Sequence, residues 1–319
     1  MKYLDEKSLL EVGIDWEGLT DTVEAAVVCL REGETAQPIK PYLRFKDLKN
    51  RIISMPAYVG NDFDVAGIKW IASFPDNIHK GIPRAHSVTI LNDANTGKPI
   101  SIINTPLVSV IRTVSVTRLL MRHYFKHTTL KKGKVGMTGF GPIGRYHLDM
   151  LLDFFKDADV EIYIYDLMGI DPELIKDFGN VKAAGSWQEA YEDADVFVTC
   201  TVSNAPYVDM APKKDSLHLN ISLRDYTAEM VNYFKGGMIV DKWEEICREN
   251  TDIENMHLKH GLQKEDTKSI EDVVVDDCIK DMIGNGPVMF NPMGMSIFDM
   301  AVAKAFFDKA TAENIGVDL

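Results

Sequence analysis

Apolar residues recur at helical spacing over Leu19–Arg31, where Val23, Ala26, Val27 and Leu30 share one face. Downstream the pattern shortens. Arg51–Pro56, Val65–Phe74 and His86–Asn92 read as strands, the turn-rich stretch Asn92–Gly97 closes a hairpin, and Pro99–Asn104 returns. Strands that follow one another without intervening helices predict a mainly antiparallel sheet. A long helix is expected over Thr105–Phe125, with Pro106 in the first turn, where its missing N–H is tolerated.

From about Lys131 strands alternate with helices. Lys134–Thr138, Glu161–Tyr165, Val196–Thr201, Leu217–Ile221 and Met238–Val240 read as strands, and Ile143–Phe155, Pro172–Asp177 and Ser186–Tyr191 as helices. This is the βαβ rhythm of a parallel sheet. The last segment, Ser296–Glu313, reads as an amphipathic helix. After a completed sheet its apolar face has to return to the first domain. The expected fold is therefore α/β, with a Rossmann doubly wound parallel sheet over 117–292 inserted in a discontinuous α+β domain made of 1–116 and 293–319.

A length of 319 residues and a hydrophobic fraction of 45% allow two full cores. A net charge of −13 argues against nucleic acid and anionic membranes as partners. No apolar run approaches the roughly 18 residues of a membrane span, and the charged start Met1–Glu6 lacks the apolar stretch of a signal peptide. The four cysteines, Cys29, Cys200, Cys247 and Cys278, have no C-x-x-C spacing, which points to a reducing, cytoplasmic setting. Cys29 and Cys200 sit in apolar runs and read as buried thiols. The histidines are scattered, so no metal site is expected.

Chemistry enters at Gly139-Phe140-Gly141-Pro142-Ile143-Gly144. This G-x-G-x-x-G run follows an apolar strand and opens a helix, the context in which it cradles a dinucleotide. Gly139 permits the turn, Gly141 lets the backbone approach the pyrophosphate, and Gly144 allows close helix–strand packing; Pro142 and Ile143 complete the cradle at the helix N-terminus. Asp166 ends the next strand about 20 residues on, where an acid takes the ribose hydroxyls. No Arg follows it in Leu167-Met168-Gly169, so NAD is expected rather than NADP. The alternative is a glycine turn of another α/β protein with Asp166 as a helix cap. Thr201 and Ser203, at a later strand end, can bond the ribose or amide, or simply end the strand.

Lys69 lies in an apolar strand, so its ammonium must be paired, face a cleft or snorkel at a strand edge. Arg112, on an otherwise apolar helix, needs a carboxylate from protein or substrate. Asp225 follows an apolar strand at the carboxyl end of the sheet, as a reacting-centre carboxylate or as the cap of a helix at Thr227–Phe234. Arg84 reads as surface or as a distal ligand. His86 reads as a loop or core histidine before a proton carrier.

Pro38-Ile39-Lys40-Pro41-Tyr42-Leu43-Arg44, Met55-Pro56, Gly67-Ile68-Lys69-Trp70, Leu91-Asn92-Asp93, Ile111-Arg112-Thr113, the glycine loop, Asn220–Asp225 and Asn291-Pro292-Met293-Gly294-Met295 occur in this order. Together they resemble the ornithine cyclodeaminase/mu-crystallin family nearly end to end. The Lys-Pro-Tyr-Leu-Arg, Ile-Lys-Trp-Ile and Asn-Pro-Met-Gly-Met runs carry a closer likeness to its branch that oxidises N-(2-amino-2-carboxyethyl)-L-glutamate to diaminopropionate for siderophores and antibiotics. The resemblance implies a homodimer formed through the discontinuous domain and an active site in the cleft between domains. It also implies that Arg44, Lys69 and Arg112 hold the substrate carboxylate, Arg112 lying against the cofactor too. Asp225 would assist the chemistry, with Lys69 as the other candidate for proton transfer. Arg84 and Lys40 would take the distal carboxylates of a tricarboxylate. Two departures count against ornithine cyclisation: Ile53 stands where cyclodeaminases usually carry Glu, and Leu223-Arg224-Asp225-Tyr226-Thr227-Ala228 stands where they usually read Gly-Gly-Asp-Cys-Pro-Gly.

The expected reaction is hydride transfer from a substrate Cα to NAD, followed by hydrolysis of the imine. Ornithine cyclodeamination, imine reduction, alanine dehydrogenation and a mu-crystallin-like binding protein are the alternatives.

Overall fold

The computed structural model describes residues 1–319. The chain forms two compact units, Met1–Val116 with Gly294–Leu319, and Thr117–Met293. The first boundary falls inside the helix Leu107–Phe125.

In the first unit the strands run in the order Val317–Asp318, Lys2–Asp5, Pro99–Asn104, Ala85–Asp93, Val65–Ser73, Arg51–Val59, Thr35–Ala36, with Tyr42–Arg44 also on Arg51–Val59. Every pairing is antiparallel except that of Lys2–Asp5 with Pro99–Asn104. The register aligns Met55, Lys69, Thr89 and Ile103. Because side chains alternate between faces, Arg44, Arg51, Ile53, Met55, Gly67, Lys69, Ser87 and Thr89 share one face. The helix Ser296–Ala312 covers that face: a methyl placed on Gly67 would stand 2.7 Å from the Met300 sulfur. Ile52, Pro56, Ile68, Trp70, Val88, Ile90 and Ile102 share the other face and remain partly exposed, Trp70 at 43%.

The helix Ser296–Ala312 departs from the expected amphipathic pattern. All eight residues Ser296–Ala303 are buried, so the first half is enclosed on every side and only the second half meets solvent.

In the second unit eight strands run in the order Val181–Ala183, Asp159–Tyr165, Lys132–Thr138, Val196–Thr199, Leu217–Asn220, Val288–Asn291, Met238–Val240, Thr267–Ser269, all parallel. The fold is the Rossmann type that the alternation predicts. The order reverses between Lys132–Thr138 and Val196–Thr199, and this switch point is where such sheets hold ligands beyond their carboxyl ends. The expected helix at Pro172–Asp177 is only the 3₁₀ turn Pro172–Leu174. Nearly every residue there is exposed, and a short helix without a buried face is not stable. No helix of the chain is long and apolar enough to cross a membrane.

Candidate active site

In the second unit Lys132–Thr138 feeds the glycine loop, and the helix Pro142–Phe154 starts on Gly141. Gly139 sits at φ +88°, and a methyl there would stand 2.5 Å from the Cys200 carbonyl. A methyl on Gly144 would come within 2.1 Å of the Gly139 oxygen. Gly141 differs: nothing lies within 4 Å of where its Cβ would be. The first turn of a helix leaves amides without intrahelical partners. Pro142 has none to offer, so those of Ile143 and Gly144 remain for an anion. The residues therefore fit a dinucleotide pyrophosphate, with open space kept over Gly141.

A prediction follows from that contrast. Gly141→Ala should melt within a degree or two of wild type yet bind NADH at least about tenfold more weakly, since roughly 1.4 kcal/mol of lost contact suffices. Fluorescence titration alongside a thermal melt checks both halves. Unchanged affinity would remove Gly141 from the cradle.

Asp166 ends Asp159–Tyr165 and accepts backbone N–H bonds from Phe140 (2.6 Å) and Met168 (2.9 Å). It borders a cleft of about 570 Å³ lined by Phe140, Gly141, Arg145, Gly169 and Asp171. No basic residue follows Asp166 along the chain in Leu167-Met168-Gly169. Arg145, on the glycine-loop helix, lies across the same cleft. Its Nε donates to the Phe140 oxygen at 3.3 Å, and its guanidinium stands 5.8 Å from the Phe140 ring centre. Thr201 and Ser203 lie just past the strand Val196–Thr199, which ends earlier than expected. The Thr201 hydroxyl donates to Asp225 and accepts from the Ser203 N–H, while the Ser203 hydroxyl donates to the Ala205 oxygen. Both hydroxyls thus spend their protons inside the loop and offer a ligand only acceptor capacity. Cys29 is buried, and Cys200, partly exposed as a residue, has its thiol held neutral by burial.

Asp225 is fully buried. It does not cap the next helical turn, Ala228–Asn232, whose preceding residue is Thr227. Its oxygens take the Thr201 and Ser222 hydroxyls instead. Burial pushes its pKa up to about 6, against the hydrogen bonds of the Thr201 and Thr199 hydroxyls and the nearby Arg224 charge. Such a carboxyl changes protonation close to neutrality, as a general base requires. Asp252, which sequence reading missed, is equally buried and is pushed up to about 7, chiefly by burial, with the Asp225 charge adding to it.

In the first unit Lys69 is no edge lysine. It is 1% exposed on an interior strand, and its ammonium donates to Asp299 Oδ1 (2.8 Å) and Ser109 (3.2 Å). Arg112 Nε donates to the same Asp299 oxygen at 2.9 Å. The Arg112 guanidinium packs so close to Gly294, itself at φ +86°, that a methyl there would stand 2.5 Å from Nη1. Lys40 is buried too and donates to the Gly294 oxygen at 2.8 Å. Burial lowers the Lys69 pKa to about 7, the Asp299 charge opposes this, and the charges of Arg112 and Lys40 add to it. Two cations thus share one carboxylate with a third close enough to be felt, an arrangement with positive charge to spare for an acidic ligand.

Arg44 is exposed and donates to the Leu48 oxygen at 2.8 Å; it stands in register with Arg51, and both guanidinium groups lie over the Tyr42 ring. Arg84 follows the ladder past Ala85, where its carbonyl accepts from the Phe74 N–H, and this register puts it on the face opposite Lys69. His86 is exposed on that opposite face. Asp299 carries its own signal in the sequence. A carboxylate inside Ile297-Phe298-Asp299-Met300-Ala301 demands a cation by the same logic that singled out Arg112.

The family profile described as "Ornithine cyclodeaminase/mu-crystallin family" matches residues 3–314. The chain is 30% identical to N-((2S)-2-amino-2-carboxyethyl)-L-glutamate dehydrogenase of Staphylococcus aureus, covering 100% of this chain and 98% of that protein. The solved Thermococcus litoralis Delta(1)-pyrroline-2-carboxylate reductase, in complex with NADH and L-proline, superposes with a TM-score of 0.85 at 21% identity and full coverage of both chains. An archaeal alanine dehydrogenase dimer with bound NAD gives 0.81 at 23% identity, covering 100% of this chain and 98% of that one.

Proposed function

The chain belongs to the ornithine cyclodeaminase/mu-crystallin family and is an NAD-dependent oxidoreductase, and from that premise we propose that it oxidatively hydrolyses N-(2-amino-2-carboxyethyl)-L-glutamate. The products would be diaminopropionate, 2-oxoglutarate and NADH. The observation that carries this reading is the surplus of buried cations around Asp299, suited to a substrate rich in carboxylates. The likeness to the staphylococcal enzyme supports the substrate's identity.

NAD would lie on Gly139, Gly141, Ile143 and Gly144, with Asp166 taking ribose hydroxyls. Bound there, it would supply the acceptor for the substrate's Cα hydride. The chain's own residues do the rest. Arg112 and Lys69 hold the carboxylate next to the reacting carbon, and Arg44 supplies further positive charge from the same face of its sheet. A carboxylate bound at Lys69 favours its ammonium form and so raises its lowered pKa. Asp225 takes a proton from the amine or from the water that adds to the resulting imine. The hemiaminal formed by that water then breaks its C–N bond to give the 2-oxo acid and the free amine. Arg84, placed by register on the far face, is a weaker candidate for a distal carboxylate than Arg44, and Lys40 serves by holding the Gly294 carbonyl.

A second copy of the chain is the occupant we infer for the partly exposed apolar face of Ile52, Pro56, Ile68, Trp70, Val88, Ile90 and Ile102. Apolar area of this kind marks an association surface, and the archaeal alanine dehydrogenase relative is described as a dimer.

The deciding experiment follows absorbance of the reduced nicotinamide with aminocarboxyethyl-glutamate, ornithine and alanine as substrates. One NADH and one 2-oxoglutarate per aminocarboxyethyl-glutamate consumed, with at least about tenfold lower efficiency when NADP replaces NAD, is the expected result. Proline formed from ornithine without NADH would replace this reading with cyclodeamination, and NADH from alanine alone would replace it with alanine dehydrogenation.

A further inference from the structure

Asp252 is 1% exposed at the start of the helix Asp252–His260, yet it does not cap that helix. The cap is Thr251, whose hydroxyl accepts from the Glu254 N–H at 3.1 Å. The Asp252 carboxyl turns to the loop that carries Asp225. Its Oδ2 accepts from Asn220 Nδ2 at 2.9 Å and from the Asp225 backbone N–H at 3.2 Å, while the Asp252 N–H donates to the Leu223 oxygen at 2.8 Å. Its Oδ1 is buried without a hydrogen-bond partner. A carboxyl in this state is costly to bury, and an ordinary loop tie needs no charge.

The loop needs holding. Leu223 sits at φ +64°, a left-handed conformation that a branched residue adopts only when its surroundings impose it. Asn220 supplies one restraint, its Oδ1 taking the Leu223 N–H at 3.1 Å and the Thr199 hydroxyl at 3.0 Å. Its Nδ2 reaches Asn291 as well as Asp252, so three strand ends and one helix start converge on five residues of loop.

We propose that Asp252 is the positioning residue for Asp225, anchoring its backbone N–H and thereby fixing where the Asp225 carboxylate stands. The proposal rests on the reading of Asp225 as the proton acceptor. The titratable and charged groups around Asp225 are Cys200, Tyr207 and Tyr226, each held neutral by burial, the Arg224 cation and Asp252. Asp252 is the one among them whose protonation changes near neutrality; the Asp225 charge helps push it up to about 7, so it still holds its proton when Asp225 ionises at about 6.

The test uses the full chain saturated with NAD. Asp252→Ala should lower kcat on aminocarboxyethyl-glutamate by about tenfold or more, the scale expected of a misplaced catalytic group, with KM within about twofold. Backbone hydrogen exchange at Asp225 should accelerate while the central strands keep their protection. Asp252→Asn keeps an acceptor oxygen, so it should restore protection and most of kcat. The acidic limb near pH 6 should stay where it is, because Asp252, at about 7, is already mostly neutral there. Unaltered exchange and kcat in Asp252→Ala would overturn the proposal. So would an Asn variant that folds yet regains neither wild-type protection at Asp225 nor most of the wild-type kcat. Near-normal turnover of Asp225→Asn strikes the underlying reading instead, and the exchange measurement still decides whether Asp252 holds the loop.

Discussion

Asp225→Asn should lower turnover by on the order of 10²–10⁴ at saturating NAD, the range typical for loss of a general base or of a charge facing a developing cation. The buried carboxyl takes two hydroxyl hydrogen bonds and titrates at about 6. Above that pH the ionised oxygen is ready to accept a proton, and below it the site carries its proton already. Wild-type turnover should therefore fall about tenfold per unit below pH 6, and this limb should vanish in the residual activity of the variant. The sign for stability is opposite to that of a salt-bridged acid. A carboxyl whose folded pKa lies above its ordinary 3.8 binds its proton more tightly in the folded state, so stability falls as pH rises through that window. At pH 7 the charge is a net burden on the fold. Asp225→Asn should thus melt at or slightly above wild type, and a marked drop in melting temperature with near-normal turnover would assign the residue to structure.

The fold was legible because its signals were local. The glycine loop followed a strand and opened a helix, and the change from consecutive strands to strand–helix alternation marked the inserted sheet. Pro99–Asn104 and Met238–Val240 have the bounds that their patterns predict. Val181–Ala183 and Thr267–Ser269 left no signal because Val-Lys-Ala and Thr-Lys-Ser each centre on a lysine, without the continuous apolar run of Met238–Val240. At Ser296 the apolar positions imply a single face, whereas the first half of the helix is enclosed all round. In the site, cations stood out because Lys69 and Arg112 interrupt apolar runs. What they bind did not, since Asp299 lies 230 residues from Lys69 and only folding brings the two together. Asp252 carried even less signal, because an acid at the start of a helix is commonplace on a surface.

Asp299→Ala should cost the fold about 3–5 kcal/mol at pH 7, the penalty for removing one member of a buried ion pair and leaving the rest uncompensated. One oxygen of Asp299 carries both Lys69 and Arg112, and all three side chains are largely shut away from water, at 1%, 11% and 0% exposure. The two cations would respond differently. Lys69 already titrates at about 7 because burial outweighs its carboxylate partner. Without that partner its pKa falls further and it sheds its proton. Arg112 cannot do so, and its charge stays. The Lys69 share of the loss is therefore the smaller one, and Arg112→Met in the Asp299→Ala background should recover more stability than Lys69→Met. Linkage gives a second signature. Between about pH 7 and its ordinary 10.5 the unfolded chain holds the lysine proton and the folded chain does not, so wild type should gain stability across that window. In Asp299→Ala the window should open at lower pH. Chemical denaturation at pH 7 and pH 9 measures both effects. A loss below about 1 kcal/mol would mean that the three charges are solvated like a surface pair, and Asp299 would then have no claim to holding the carboxylate-binding cations in place.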